Sequence, residues 1–515
     1  MYRQAMRHLW RTRFKSLPWF NIVAQIHYRN ILKSTSLIGG ASFINILIGM
    51  VRTKFVAALL GPAGVGLMGV YITIMGMVGT VAGMGISTSG VRQIAAAHAK
   101  GDELVVARTV KTLRRTVWLT GLLGCFGLAA AAWPLSKITF GSGREAFNIA
   151  ALGCTILFGA IATGQGCLLQ GTRRIKDLAW VSILGAVNGT LISIPCFYFW
   201  GRRGIVPSLI LCALAGTATS WWFARRIPVR ALAMSWRDSR TEARQLLHFG
   251  FPLMLAALFT AASAYLVRVV LIRQVGLEGV GIYSAAFSLS GVLANFVLSA
   301  MGTDYYPRLT AVANDPVRVQ EEINSQTEVA LLLVTPALAA TLIFAPLVIA
   351  VFYTGRFNGS IEILRWAVFG VFGRVVSWPL GFLILAKGKG NLYLATEIFA
   401  DSMHIALIWW CTRIWGLPGS GIAFAGLYIF YSMLTYAVCT FLNTQVWNRT
   451  TVRHVLGLGA MLVLIGATVM CIQNGLVRWT VSLAAGASVS WFCLQRLVAQ
   501  TGITYQAVIT KIRGG

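Results

Sequence analysis

Apolar runs of about 20 residues recur along this chain from residue 37 to residue 498. Each is long enough for one helical crossing of a hydrocarbon core ~30 Å thick. They fall at 37–60, 65–86, 113–134, 147–169, 178–199, 205–224, 249–274, 280–301, 329–353, 363–385, 392–412, 419–442, 454–472 and 477–498. Hydrophobic residues make up 57% of the 515 positions and charged residues 11%, too little polar surface to coat a soluble globule. The chain reads as an all-α polytopic membrane protein with about 14 transmembrane helices.

The formal net charge of +29 invites a nucleic-acid reading, but its distribution rejects one. With residues at span edges counted in the adjoining loop, the N-terminus, the even-numbered loops and the C-terminus hold 31 of the 44 Lys and Arg. The odd-numbered loops hold 9, and 4 lie inside spans. This alternation is the positive-inside bias, which puts both termini in the cytoplasm and attracts anionic membrane lipids. Nine cysteines lie in or beside apolar spans without a C-x-x-C pair, and six histidines include no H-E-x-x-H. Neither a metal site nor a phosphate loop is expected, and no cofactor. Residues 1–33 form a basic segment in which Arg3, Arg7 and Arg11 share one helical face and Leu9, Trp10, Phe14 and Leu17 give apolar anchors. An interfacial helix and a solvated basic tail both fit it. Trp133, Trp200, Trp415 and Trp447 sit at span ends, as an interfacial aromatic belt would.

The chain also repeats itself. "VRTKFVAALLGPAGVGLMGVY" at 51 matches "VRVVLIRQVGLEGVGIY" at 267, aligning Arg52 with Arg268 and G-x-x-G-V-G at 61–66 with the same pattern at 276–281. "SGVRQIAAA" from 89 aligns with "DYYPRLTAV" from 304, and "WGRRG" at 200–204 with "WGLPG" at 415–419. The offset stays at 215 or 216. Two six-span lobes follow, 34–224 and 249–442, joined by a basic cytoplasmic linker at 225–248 and followed by two further spans and a tail at 443–515. An even number of spans per repeat makes the repeats parallel, related by an axis along the membrane normal. Gly61–Pro62 with Gly64 and Gly66 is expected to form a tight outer hairpin.

Charges inside the spans are the candidate functional residues. Arg52 and Arg268 hold equivalent positions in the two repeats, where guanidinium groups suit a multivalent anion such as a pyrophosphate. Interfacial snorkelling also fits them, and it fits Lys54 best. Arg374 lies in mid-span, opposite Phe158 of the first repeat. Glu397 and Asp401 in the next span, spaced i, i+4, share a face with His404. A hairpin near Gly388 brings Arg374 and Asp401 to similar depth, where they could pair. The cluster suits substrate anions or a coupling cation, H+ or Na+; a structural ion pair is the alternative. Arg273 and Arg365 are secondary cations. Asn45, Gln165, Gln170, Asn188, Ser263, Tyr265 and Asn295 are candidates for a polar, sugar-facing lining.

"VRTKFVAALLGPAGVGLMGVY", "GVRQIAAA", "MGTDYYPRLTAVANDP" and "SWPLGFLILAKGKGN" resemble the O-antigen translocases. These are lipid-linked oligosaccharide flippases in the polysaccharide-exporter branch of the multidrug/oligosaccharidyl-lipid/polysaccharide exporter superfamily. The resemblance covers about residues 34–442. It implies two six-helix lobes around a central cavity in the bacterial inner membrane. Its implied substrate is an oligosaccharide on undecaprenyl pyrophosphate, and its implied neighbours are other membrane proteins of polysaccharide assembly. By similarity to the related lipid II flippases, Arg52 falls where a first-helix arginine contributes to the cavity. The second arginine of those relatives is Ala58 here, a departure from their pattern. A monomeric transporter with no catalytic set is expected. A drug/cation antiporter of the same superfamily is one alternative, though its cationic substrates favour acidic cavities. A polymerase or ligase of polysaccharide assembly is another, against which stands a longest external loop of about a dozen residues holding only Lys137, Arg144 and Glu145.

Overall fold

The computed structural model describes the backbone of residues 18–230, 232–442, 446–472 and 474–501, with side chains from residue 39 onward except at positions within 245–253 and 293–304 and at residues 500 and 501. Most of the basic segment 1–33, with its expected interfacial helix, therefore lies outside the described residues. Fourteen α-helices, and no strand, lie among the described residues. They are α1 (Pro18–Gly83), α2 (Ile86–Ala99), α3 (Glu103–Phe140), α4 (Ala146–Ala151), α5 (Gly153–Gly171), α6 (Ile175–Trp200), α7 (Ile205–Ala224), α8 (Trp236–Ala311), α9 (Pro316–Phe352), α10 (Ser360–Ala386), α11 (Gly390–Trp415), α12 (Gly419–Phe441), α13 (Arg449–Cys471) and α14 (Gly475–Thr501).

Ten helical stretches among the described residues are long and apolar enough to cross a membrane. Three of them are double: 39–83 breaks at Gly61, 254–292 breaks at Gly276, and 175–224 joins α6 to α7 through a 3-10 turn at Gly201–Gly204. α11, which carries Glu397, Asp401 and His404, is not among the ten. Several helices continue past their apolar runs. α9 begins at Pro316, where Asp315 accepts hydrogen bonds from the amides of Val317 and Arg318, an N-cap with proline at the first helical position.

The sequence repeat is written into the backbone. Gly61 (φ 65°, ψ −178°) and Gly276 (φ 72°, ψ 179°) break their helices in the same conformation, one that a side chain would strain. Gly201 (φ 53°, ψ −129°) and Gly416 (φ 63°, ψ −143°) end α6 and α11 alike. A Cβ on Gly204 would lie 2.2 Å from the Cys196 carbonyl oxygen, and one on Gly419 would lie 2.2 Å from that of Cys411. All these pairs are 215 residues apart.

The chain divides into two compact units that do not follow the repeat boundary. The first holds residues up to 52, 78–130 and 150–254. Its core joins Ile86 and Ile94 to Val110, Leu113, Val117 and Leu168. The basic linker is pinned to α3 in this unit. Arg115 donates to the carbonyls of Met234 (3.0 Å) and Ser235 (3.1 Å), and lies 4.5 Å from the Trp236 ring centre. Charge-assisted bonds of this kind are stronger than neutral ones, so the linker is held rather than loose.

The second unit holds 53–77, 131–149 and everything from 255 onward. Its largest core includes Leu331, Leu338 and Leu342 of α9, Val368 and Val371 of α10, and Leu462 and Ile465 of α13. The last two helices, outside the repeat, thus pack into the core of this unit. Here too the two G-x-x-G-V-G motifs meet. A Cβ on Gly66 would lie 2.2 Å from the Leu277 carbonyl oxygen, and one on Gly281 would lie 1.8 Å from that of Pro62. The expectation of a hairpin glycine holds at Gly61. Gly66 and Gly281 have a different reason to be glycine, which is backbone approach between repeats.

Gly281→Ala should therefore cost about 1–3 kcal/mol through overpacking and lower the thermal unfolding midpoint of the purified protein. Gly457→Ala, where nothing lies within 4 Å of the added carbon, should leave the midpoint unchanged. Equal midpoints for the two variants would remove the packing role.

Candidate functional site

In the first unit, Arg52 projects from α1 toward α6. Its Nη1 would lie 3.0 Å from a Cβ on Gly189, so glycine makes room for the guanidinium. Polar side chains gather on the same helices and on their neighbours α5 and α7. Asn45, two turns before Arg52, donates to the Ser182 hydroxyl at 2.7 Å. Asn188 donates to Thr219 at 3.2 Å, and Ser220 donates to the Gln165 side-chain oxygen. Of the expected polar lining residues, Asn45 thus lies on Arg52's own helix, Asn188 on the helix Arg52 faces, and Gln165 elsewhere in the same unit. Gln170 is exposed at the end of α5 and makes no side-chain contact of this kind. The side chain of Asn295 lies outside the described residues.

In the second unit the equivalent arginine has different surroundings. Arg268 donates to the Ala264 carbonyl one turn back at 3.1 Å, and its buried Nε meets no acceptor. Gly69 and Tyr283 are its neighbours. Sequence equivalence of Arg52 and Arg268 does not carry over to equivalent contacts. Tyr265 is buried, with its hydroxyl 2.7 Å from that of Thr139.

Two of the secondary cations have specific work. The Lys54 ammonium donates to the carbonyls of Ala350 and Tyr353, at the C-terminal end of α9. Arg273 donates to the Ile138 carbonyl in the last turn of α3 at 2.8 Å. Helix C-termini present unpaired carbonyls and partial negative charge, which a cation satisfies. This answers why Lys54 has no second copy: its partner is the end of one particular helix. Arg365 is found elsewhere, in a crevice beside α13 and α14.

The mid-span cluster is built on α10, α11 and α12. Two tyrosine hydroxyls hold the Glu397 carboxylate: Tyr431 donates to Oε1, and Tyr393, one turn back in α11, hydrogen-bonds the same group. Asp401 is hydrogen-bonded by Ser263 of α8, while its buried Oδ2 has no partner. His404 has a buried, unpartnered Nε2 and lies 6.1 Å from the Phe424 ring. The direct pairing of Arg374 with Asp401 expected from the hairpin is not made: among the described residues no ion pair joins Arg374 to either carboxylate. The reason is packing. α12 lies against both α10 and α11, which touch each other little. Tyr428 of α12 stands within electrostatic reach of Arg374, Glu397 and Asp401 together, and its backbone packs against Gly373, 3.0–3.2 Å from where a Cβ there would sit.

Tyr393, Tyr428 and Tyr431 are the residues that sequence reasoning missed. The i, i+3 spacing of Tyr428 and Tyr431 on an apolar helix was a usable signal, since it sets two hydroxyls on one face. Their role depends on which helix α12 meets, and spacing cannot supply that.

A polytopic bundle of two parallel repeats, with cations inside its spans that find no acidic partner among the described residues, has the architecture of a transporter. Comparison with solved structures agrees on the fold. The lipid II flippase MurJ in an inward closed conformation aligns with a TM-score of 0.66 and 13% identity, covering 91% of this chain and all of that one. An inward-facing multidrug resistance MATE transporter of the MOP superfamily aligns with a TM-score of 0.64 and 17% identity, over 81% of this chain and 96% of that one. Among characterised sequences, the lipid III flippase of Escherichia coli (strain K12) is 23% identical over 418 residues, 79% of this chain and 98% of its own. The lipopolysaccharide biosynthesis protein WzxC of the same organism is 20% identical over 404 residues, 77% of this chain and 78% of its own. The polysaccharide biosynthesis protein family matches residues 31–313, more than half of the chain, and the chain belongs to that family.

The caps can be separated from the unpaired cations by experiment. Lys54→Met should lower stability by about 1–2 kcal/mol, the scale of lost charge-assisted bonds at a helix end, read as a lower unfolding midpoint. Arg52→Met, which breaks no hydrogen bond among the described residues, should leave the midpoint within error. A midpoint unaffected by Lys54→Met would remove the capping role.

Proposed function

We propose that this protein is a flippase that moves an oligosaccharide carried on undecaprenyl pyrophosphate from the cytoplasmic to the periplasmic leaflet of the bacterial inner membrane. The observation that carries this reading is the state of the charges. Arg52, Arg268 and Arg374 lie in apolar helices, and among the described residues none has an acidic partner. The carboxylates nearest Arg374 are held by hydroxyl groups instead. An uncompensated guanidinium in a span is costly unless an anion or water reaches it. A pyrophosphate offers several charged oxygens to such forks. Asn45, Gln165 and Asn188, in the same unit as Arg52, suit the sugars, while a polyprenyl tail can stay in lipid.

Flippases among the relatives support the same activity, and the pattern of charge favours it over drug/cation antiport. A cavity for cationic drugs would hold free carboxylates, whereas Glu397 is bound by two tyrosines. Transport without a phosphate loop draws on a gradient or a downhill sink. Glu397 and Asp401 are the groups we assign to a coupling cation, H+ or Na+. Taking up that ion would loosen the hydroxyl contacts on Glu397 and Asp401 and bias alternating access. The positive-inside bias supports both termini in the cytoplasm.

Removing the protein from its host should cause one lipid-linked oligosaccharide to accumulate on the cytoplasmic side, identifiable by mass spectrometry of extracted lipids. Arg52→Gln, Arg268→Gln and Arg374→Gln should each cut export by about tenfold or more, the effect of losing one charge-assisted contact, with membrane levels unchanged. Export at the normal rate in all three would end the anion-site reading. Glu397→Gln and Asp401→Asn should weaken the dependence of export on the ion gradient, and an unchanged dependence would exclude them as coupling groups.

A further inference from the structure

Away from the charges discussed above, α9, α10, α13 and α14 enclose a partly open crevice with an empty volume of about 230 Å³, the space at its mouth included. Ile343 and Val469, both buried, form an apolar floor. Arg365 and Arg478 face the space together, with Ser482 below and Trp479 at the rim. The two guanidinium groups are close enough to repel one another electrostatically. Arg365 Nε is shielded from solvent and donates to nothing. Among the described residues neither side chain forms a hydrogen bond or an ion pair. Glu362, one turn earlier in α10, is the one acid among the described residues within electrostatic reach of Arg365; it is exposed and stands off at more than an ion-pair distance. The Ser482 hydroxyl is 3.3 Å from that of Thr468, leaving acceptor and donor capacity open. The Trp479 ring leans on Phe344, 6.0 Å between centres.

Two like charges at this spacing are unfavourable, and more so beside hydrocarbon. An anion between them reverses the sign. Each guanidinium carries five N–H donors in a planar fork that matches phosphate oxygens. Depth narrows the choice of anion. Arg365 lies five residues beyond Ser360 and Arg478 three beyond Gly475, about 8 Å and 5 Å into their helices, at the level where lipid phosphate meets acyl chain. A tryptophan at the rim is typical of that level. The apolar floor suits glycerol and acyl carbons. The site has no twin: positions 149 and 150, equivalent to Arg365 in the first repeat, are Ile and Ala, and Arg478 lies beyond both repeats.

We infer that Arg365 and Arg478 form a phosphate-oxyanion site that holds the headgroup of an anionic membrane phospholipid. On the charge bias of the loops it opens to the periplasmic leaflet. The lipid would clamp α14 to α9 and α10, so it is a structural ligand and not the transported one.

The test uses the full chain, purified and delipidated in neutral detergent. Dioleoyl phosphatidylglycerol, dioleoylglycerol with the same chains but no phosphate, and inorganic phosphate are added separately at matched ionic strength. Phosphatidylglycerol should raise the unfolding midpoint by about 3 °C or more, dioleoylglycerol should not, and the R365Q/R478Q variant should lose the increment. Native mass spectrometry should show one fewer retained phosphatidylglycerol in that variant. An increment reproduced in full by inorganic phosphate would overturn the lipid as the source of the anion. An increment of equal size in the variant, or with dioleoylglycerol, would overturn the site. If the double variant does not fold, R478Q alone, in the first turn of α14, carries the same comparison.

Discussion

Inside hydrocarbon a charged side chain must be satisfied by something the protein or its ligand provides, because water does not reach it to do so. That constraint sorts the intramembrane charges into three kinds. Lys54 and Arg273 satisfy the carbonyls at the ends of α9 and α3, and are themselves satisfied by them. Glu397 is satisfied by Tyr431 and Tyr393. Arg52, Arg374 and the Arg365–Arg478 pair have no such partner among the described residues, and Arg268 has only a carbonyl of its own helix. The first two kinds explain how the fold is held. The third holds the arginines that we assign to ligands.

The same medium explains the glycines. Lipid gives little hydrophobic drive between helices, so they associate by close contact and by polar bonds. Gly66 and Gly281 allow the backbones of the two repeats to come within van der Waals range around Pro62 and Leu277. Thr139 with Tyr265, and Arg273 with Ile138, add polar bonds between α3 and α8 within the second unit. One duplicated motif thus supplies both a helix break, at Gly61 and Gly276, and a packing surface, at Gly66 and Gly281.

Duplication also shows where symmetry stops being a guide. The backbone turns at Gly201 and Gly416 are alike because their conformations are fixed by local sterics. Arg52 and Arg268 are alike in sequence but not in contacts, because each side chain answers to a different set of neighbouring helices. The expected Arg374–Asp401 pair fails for the same reason. Hairpin arithmetic gives depth along a helix, and it says nothing about a third helix, α12, lying between.

The sequence alone determined that the chain spans a membrane many times, that it does so in two parallel repeats, and which charged residues lie inside. Length, apolar content, loop charge and an offset of 215 or 216 residues are properties of position along the chain, and they survive without a structure. The tertiary structure decided what each charge touches: that Lys54 caps a helix, that Tyr431 of α12 donates to Glu397, and that Arg365 shares a crevice with Arg478 instead of joining the mid-span cluster. Those facts depend on which helix faces which. In a bundle whose helices are apolar on nearly all sides, the pattern of one helix does not record its neighbours.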